Sequence, residues 1–129
     1  MSDYINIAVE GCCHGELDAI YSAILDAENG HSVHIDLLLI CGDFQSIRSF
    51  EDFDSVAVPS KYKRMNSFHD YFTGKKVAPV PTIFIGGNHE NSLALHSLYY
   101  GGFVAPNIYF LGIFIICYIF KKMCHFYYL

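Results

Sequence analysis

Two kinds of hydrophobic spacing follow one another in the first part of the chain. Apolar and polar positions alternate over residues 5–9, which favours a β-strand. From Glu16 onward the apolar residues fall at helical spacing, and this pattern predicts a helix that stops at Asn29 and Gly30. Residues 33–41 form a nearly continuous apolar run, as expected of a strand that is buried on both faces.

The same alternation continues in the second part of the chain. Residues 44–59 are polar and irregular, and residues 61–72 have the spacing of an amphipathic helix. Residues 81–85 favour a third strand. The pattern then predicts a helix over residues 88–99, which begins with an asparagine cap, and a short fourth strand at residues 109–111.

The predicted order of elements is β-α-β-α-β-α-β, with no internal repeat. Strands that alternate with helices in this way form a parallel sheet with helices packed on it, so the predicted fold class is α/β. In such sheets, binding sites form where loops leave the carboxyl ends of the strands. We therefore expect the residues that follow the first three strands to lie close together.

Polar residues beside glycines follow each of these three strands. Cys12 and His14 follow the first strand, and Asp43 follows the second. Asn88 and His89 follow the third. A thiolate, two imidazoles, a carboxylate and an amide oxygen form a suitable ligand set for a transition metal. Asp43 has two carboxylate oxygens with which to bridge two ions, and the thiolate of Cys12 favours zinc or ferrous iron over magnesium.

Each of these residues also has an ordinary structural interpretation. Asp43 alone, after a glycine, is typical of a turn. Asn88 alone is typical of a helix cap, with Glu90 favoured by the helix dipole. Cys12 and Cys13 alone are typical of small buried residues. The structural interpretation weakens for the whole set, because three separate strand ends would have to place these groups together by coincidence.

Composition excludes several classes of protein. The chain has 129 residues, enough for one domain, and its 53% hydrophobic and 16% charged residues exclude a disordered protein. The formal charge of −5 excludes a uniformly basic nucleic-acid coat, but residues 1–60 carry −10 and residues 61–129 carry +5. The cations of residues 61–76 form a candidate RNA-binding stripe, although such a stripe is more often a solvated helix face. They are Lys61, Lys63, Arg64, Lys75 and Lys76.

The cysteines and one apolar run bear on the location of the protein. Five cysteines, two of them adjacent, form no evenly spaced disulfide framework, and the amino terminus lacks the features of a signal peptide. We therefore expect a reducing compartment, cytosolic or nuclear. The uninterrupted apolar run at residues 113–120 is far shorter than the roughly 20 residues of a spanning helix, and it predicts a buried strand pair. Lys121 and Lys122, directly after this run, argue against a membrane anchor.

The motifs at the three strand ends resemble those of the calcineurin-like metallophosphoesterases, which are Asp-x-His, Gly-Asp and Gly-Asn-His-Glu. Here Cys12 stands in place of the first aspartate, and in this respect the sequence is similar to the RNA lariat debranching enzymes. The likeness covers about residues 4–112, and its blocks are residues 9–18, 41–45, 57–63, 85–90 and 100–109. The resemblance implies a truncated, metallophosphoesterase-like β-α-β-α-β-α-β half of an α/β/β/α sandwich.

The resemblance also implies an activity, namely hydrolysis of the 2′–5′ phosphodiester at the branch point of excised intron lariats in the nucleus. It implies that Cys12, His14 and Asp43 hold one divalent metal. Asp43 and Asn88 would hold a second, with Fe²⁺, Zn²⁺ or Mn²⁺ as the candidates. His89 is implied as the catalytic residue that protonates the leaving 2′-oxygen or stabilises charge on the phosphate. The implied partner is branched lariat RNA, not a membrane, and the oligomeric state is left open.

The likeness stops at residue 113. Residues 113–129 form a divergent apolar tail, which we interpret as read-through into an intron or as a misjoined exon. The remaining metal-binding histidines of the family lie in later segments that the chain lacks, so we expect weak metal affinity, impaired activity and an exposed apolar sheet face. Two alternatives remain open: a non-catalytic fragment that binds RNA or another partner, and a metallophosphoesterase that acts on another phosphodiester.

Overall fold

The computed structural model of the chain describes residues 4–113, 115–120 and 123–128. It contains the strands β1 (Ile7–Cys12), β2 (Leu37–Gly42), β3 (Thr82–Phe84), β4 (Gly102–Ala105), β5 (Ile108–Phe110), β6 (Ile115–Phe120) and β7 (Met123–Tyr128). The first five strands form one sheet in the order β1-β2-β3-β5-β4. Neighbouring strands in it are parallel, except that β4 runs antiparallel to β5. The predicted α/β class with parallel strands is therefore confirmed.

Helices connect these strands. The α-helices are α1 (Leu17–His31), α2 (Phe68–Phe72) and α3 (Ser92–Ser97), and two 3₁₀ helices span Phe50–Asp54 and Ser60–Tyr62. No helix of the described residues is long and apolar enough to cross a membrane.

One face of the sheet forms the core with α1. Leu38 on β2 and Phe84 on β3 are buried together with Leu17 and Tyr21 of α1. The ring of Phe44, in the loop after β2, stacks on Phe84 with 3.8 Å between the ring centroids. Burial of these large side chains holds the carboxyl ends of β2 and β3 and the loop after β2 in fixed positions.

The first two strands and α1 differ from their predicted limits. β1 runs through Gly11 to Cys12, and β2 begins only at Leu37. The side chain of Asn6 donates a hydrogen bond to the His34 carbonyl (2.8 Å), which holds the segment before β2 as a loop. The helix α1 continues through the predicted asparagine–glycine stop, because one glycine costs a helix only about 1 kcal/mol and packing on the sheet outweighs this cost.

The predicted helix over residues 61–72 is wrong. The segment contains the end of a 3₁₀ turn, a loop and the five-residue helix α2. Asn66 interrupts it with a left-handed φ of 41°, and its side-chain amide donates to the His14 carbonyl (2.6 Å). A contact between residues 52 positions apart therefore overrides the local helical spacing.

The helix predicted over residues 88–99 begins and ends elsewhere. α3 begins at Ser92, and its cap is Asn91, whose side-chain oxygen accepts a hydrogen bond from the backbone N–H of Ala94 (3.3 Å). Asn88 therefore does not cap this helix, and the prediction that it does is wrong. The helix ends at Ser97, two residues before its predicted end. Beyond the predicted helix lies β4, which the sequence pattern did not predict and which pairs with β5.

Apolar side chains are exposed at both edges of the five-stranded sheet. Val9 on β1 is 67% exposed and Phe103 on β4 is 70% exposed. The apolar run at residues 113–120 contains only one strand, β6, and the antiparallel partner of this strand, β7, lies beyond the run. The burial predicted for that pair lies outside what the structure describes.

Candidate metal centre

The loops after β1 and β2 bring three candidate ligands together. Ligand atoms of Cys12, His14 and Asp43 all lie within 4.8 Å of one another. The pairing of the two strands continues into the loops, because the backbone N–H of His14 donates to the carbonyl of Asp43 (2.7 Å). The predicted convergence of the first two strand ends is present in the structure.

The loop after β3 reaches the same place through His89. Its backbone N–H donates to Oδ1 of Asp43 (2.9 Å), and its ring Nδ1 lies 3.0 Å from Oδ2 of the same carboxylate. The rings of His14 and His89 are 5.9 Å apart. Each of the three predicted strand ends therefore contributes a side chain to this place: His14 follows β1, Asp43 follows β2 and His89 follows β3.

Asp43 is buried but charged in this setting. Burial acts to raise the pKa of its carboxyl group. The hydrogen bonds from the backbone and ring of His89, and the charges of His89 and His14, outweigh burial, and the pKa lies below its ordinary value. The carboxylate form, which is the form that binds a metal, is therefore favoured.

The backbone of the site is strained at three residues that are not glycine. His14, Asp43 and Gln45 have φ values of 49°, 42° and 56°, in the left-handed region. Such a conformation costs about 1–2 kcal/mol per residue and persists only where the surrounding structure holds it. Strain of this kind is concentrated at functional sites, and here it turns the side chains of both loops toward one point.

Glu90 holds the strained loop in place. Its buried carboxylate accepts hydrogen bonds from the backbone N–H groups of Phe44 and Gln45, the latter at 2.9 Å. Burial raises the pKa of Glu90 to about 7, even though these N–H groups act to lower it. The ordinary structural interpretation, in which the helix dipole favours Glu90, is wrong because α3 begins two residues after Glu90.

Two further residues of the site were missed. The side-chain nitrogen of Gln45 lies 2.9 Å from Nδ1 of His14, so Gln45 fixes the orientation of this ring. Gly87 lies so close to Asp43 that a Cβ atom would overlap the carboxylate Oδ1 and the backbone nitrogen of Asp43. The sequence signals were Gln45 two positions after Asp43 and the paired glycines before Asn88.

Asn88 is not joined to the cluster. Its side chain is exposed, and within residues 4–113 it makes no hydrogen bond to Asp43, His14 or Cys12. His89 is also not at a helix N-terminus as expected, because it precedes α3 by three residues. The ligand role of Asn88 and the catalytic role of His89 stay predictions.

The five predicted RNA-binding cations do not share a helix face. Lys75 and Lys76 form ion pairs with Asp70, at 3.5 and 3.3 Å, and Lys76 also pairs with Asp18 (2.5 Å). The side-chain nitrogen of Lys63 donates to the carbonyl of Phe53. Two of the five predicted cations, Lys61 and Arg64, are exposed and remain candidates for RNA binding.

The cluster of Cys12, His14 and Asp43 fits a divalent transition metal. A thiolate, an imidazole and a carboxylate are three ligands of the types that zinc and ferrous iron accept. Three protein ligands leave a further coordination position open, as in catalytic rather than structural sites. Cys13 does not compete for a metal, because burial raises the pKa of its thiol to about 12 and keeps it protonated.

A parallel α/β sheet with such a ligand cluster at its strand ends is the arrangement of a metal-dependent hydrolase. The profile of the calcineurin-like phosphoesterase family matches residues 5–127, so the chain belongs to that family. It is a family of metal-dependent phosphoesterases, which agrees with the ligand cluster.

The chain is also similar to curated relatives that are named lariat debranching enzymes. The chain is 57% identical over 108 residues to the lariat debranching enzyme of Arabidopsis thaliana, an alignment that covers 84% of this chain and 26% of the relative. It is 60% identical to that of Drosophila melanogaster and 55% identical to that of Homo sapiens, in each case over 84% of this chain and 20% of the relative. The chain thus spans about a fifth to a quarter of the length of the curated relatives it matches.

Proposed function

We propose that the chain is the amino-terminal part of an enzyme that hydrolyses the 2′–5′ phosphodiester at the branch point of lariat RNA. One observation carries this proposal: the ligand atoms of Cys12, His14 and Asp43 lie within 4.8 Å of one another. The branched-RNA substrate is inferred from the names of the relatives, and the cluster supports metal-dependent hydrolysis. On this proposal residues 1–112 belong to the phosphoesterase domain, residues 113–129 form a divergent tail, and the protein acts in the nucleus.

Cys12, His14 and Asp43 would hold one divalent metal, and Asp43 and Asn88 would contribute to a second. The candidate metals are Fe²⁺, Zn²⁺ and Mn²⁺, because thiolate and imidazole ligands suit iron and zinc, and carboxylate and amide oxygens suit manganese. A bound metal of this kind neutralises phosphate charge and lowers the pKa of an attacking water. The protein's contribution is to fix the ligands, which the strained loops and Glu90 do.

His89 is the proposed acid. Its ring Nδ1 lies 3.0 Å from the Asp43 carboxylate, and this contact orients the ring and leaves Nε2 for the substrate. In the protonated imidazole, Nε2–H is available for donation to the leaving 2′-oxygen. The ring is half-exposed, as a group that meets an RNA phosphate must be.

The second metal position is incomplete in this part of the protein. Asp43 and Asn88 would supply only two ligands to it, whereas zinc sites have three or four protein ligands. We therefore expect the isolated chain to bind metal weakly and to cleave branched RNA much more slowly than a full-length relative.

The experiment is cleavage of a synthetic branched RNA by the 129-residue chain with Mn²⁺, Zn²⁺ or Fe²⁺, read on a denaturing gel. We expect slow release of the 2′ branch, and its loss in the Asp43→Asn variant. Asp26→Asn, which changes an exposed carboxylate on α1, is the matched control and should cleave like the wild type.

One outcome contradicts the proposed activity, and another contradicts the expected weakness of the isolated chain. Release no faster than with Asp43→Asn under every metal, together with unchanged RNA binding, favours the non-catalytic RNA-binding fragment. Turnover equal to that of a full-length relative overturns the claim that the metal site is incomplete.

A further inference from the structure

The segment of residues 58–65, here called the bridging loop, is fixed at both ends beside the candidate metal centre. Immediately before it, the backbone N–H of Ala57 donates to the Glu90 carbonyl (3.3 Å). Immediately after it, the side chain of Asn66 donates to the His14 carbonyl (2.6 Å). The loop therefore connects the segment after β3 to the segment after β1, the two segments that carry His89 and His14.

The bridging loop has a defined conformation of its own. The backbone N–H groups of Tyr62 and Lys63 donate to the carbonyls of Pro59 (2.9 Å) and Ser60 (3.2 Å), which forms a 3₁₀ turn. The side chain of Lys63 donates to the carbonyl of Phe53 and ties the loop to the preceding 3₁₀ helix. A ligand that binds this loop meets a backbone that is already positioned, and so loses less conformational entropy.

The outer surface of the bridging loop combines an aromatic ring with uncompensated positive charge. Tyr62 is 58% exposed, and the ammonium group of Lys61 lies 4.7 Å from its ring centroid. Within residues 4–113, neither Lys61 nor Arg64 forms an ion pair with a carboxylate, whereas Lys75 and Lys76 both do. The loop contains no acidic residue, although the chain as a whole carries −5.

We propose that the bridging loop binds single-stranded RNA next to the metal centre, with Tyr62 stacking on a base and Lys61 and Arg64 contacting phosphates. An exposed aromatic ring between cations is the combination that binds unpaired nucleotides, because bases stack on the ring and phosphates meet the charges. The inference rests on the proposed function for its RNA substrate. It assigns RNA binding to two of the five predicted cations and adds Tyr62, which is not among the predicted site residues.

The test is binding of a fluorescein-labelled linear single-stranded RNA to the full chain, followed by fluorescence anisotropy over a range of salt concentrations. Tyr62→Ala should weaken binding about tenfold, and Tyr62→Phe should bind like the wild type because the ring is kept. Lys61→Ala and Arg64→Ala should each lower the slope of log affinity against log salt by about 0.7. Phe72→Ala, which removes an exposed aromatic side chain elsewhere, is the matched control and should bind normally.

Three outcomes overturn the inference. The wild type does not bind the RNA, Tyr62→Ala binds as well as Phe72→Ala, or poly-glutamate displaces the RNA as effectively as unlabelled RNA does. Urea unfolding of each variant shows that a weaker affinity is not a loss of fold. Branched-RNA cleavage with Asp43→Asn tests the proposed function separately, so a chain that binds RNA through Tyr62 but does not cleave supports this inference and contradicts that function.

Discussion

The buried carboxylate of Glu90 accepts a hydrogen bond from the backbone N–H of Gln45 at 2.9 Å, although the two residues lie 45 positions apart. The same carboxylate accepts the N–H of Phe44. The segment after β3 therefore determines the conformation of the loop after β2, in which Asp43 and Gln45 both have left-handed φ values. Glu90 is a positioning residue, since it acts on the metal centre through the backbone of a neighbouring loop.

Glu90→Gln should destabilise the fold and disturb the metal centre. The amide keeps one acceptor oxygen but presents an NH₂ group to a backbone N–H, and an unsatisfied buried donor costs about 1–3 kcal/mol. The free energy of unfolding in urea should fall by this amount, while Glu16→Gln, a change at an exposed carboxylate, should leave it unchanged. Equal stability of the two variants would show that the Glu90 contacts are dispensable.

Gly87→Ala should disrupt the site without a change in charge. The added methyl group would overlap Oδ1 and the backbone nitrogen of Asp43, so either the loop after β3 or Asp43 must move. We expect a loss of stability of about 1–3 kcal/mol, as for other overpacked positions, and weaker binding of Co²⁺ in a spectroscopic titration. Gly11→Ala is the control, because nothing lies within 4 Å of its added methyl group. The prediction fails if both alanine variants bind Co²⁺ equally.

Cys12→Ser should remove the thiolate ligand. Co²⁺ bound by a thiolate absorbs in the near ultraviolet through sulfur-to-metal charge transfer, and this band should be absent in the variant. Cys41→Ser changes a second exposed cysteine outside the cluster and should keep the band. Cys13 should stay unreactive toward alkylating reagents at neutral pH, because burial raises the pKa of its thiol to about 12. A band that survives Cys12→Ser would remove Cys12 from the ligand set.

The pair of Arg48 and Asp52 should make stability depend on pH in the acid range. Arg48 donates to both carboxylate oxygens (2.9 and 2.8 Å), and this contact lowers the pKa of Asp52 to about 2. A lowered pKa contributes stability that is complete above the unfolded-state pKa of about 4 and is lost as the pH falls through 2.

The matching variant is Asp52→Asn. Its free energy of unfolding in urea should be lower than that of the wild type by up to about 2 kcal/mol at pH 7, and the difference should shrink between about pH 4 and pH 2. Asp26→Asn serves as the exposed control on α1. A difference that stays constant down to pH 2 would mean that the ion pair is not its source.

The fold was largely predictable because it follows from local spacing. Alternation of strands and helices implies a parallel sheet, and a parallel sheet brings its strand ends together, so the meeting of Cys12, His14 and Asp43 followed from the order of elements. The contact of His89 with Asp43 followed in the same way.

The predictions that were wrong concern features that depend on contacts between residues far apart in the sequence. Asn88 and Asn91 both follow β3 and are equal candidates for a helix cap, but only Asn91 is fully buried, and it donates to the Ser46 carbonyl (3.1 Å). No local pattern distinguishes the two. The break of the predicted helix at Asn66 likewise depends on its bond to His14, and so could not be read from its neighbours in sequence.

The exposed strand β1 has a practical consequence. It pairs with β2 alone within the described part of the chain, and it carries the exposed apolar side chains of Ile7 and Val9. An unpaired edge of this kind is a template on which strands of other molecules add, so self-association should limit the solubility of the purified chain. A lysine at this edge, as in Val9→Lys, should raise that limit in a precipitation assay, whereas Leu25→Lys on the exposed side of α1 should not.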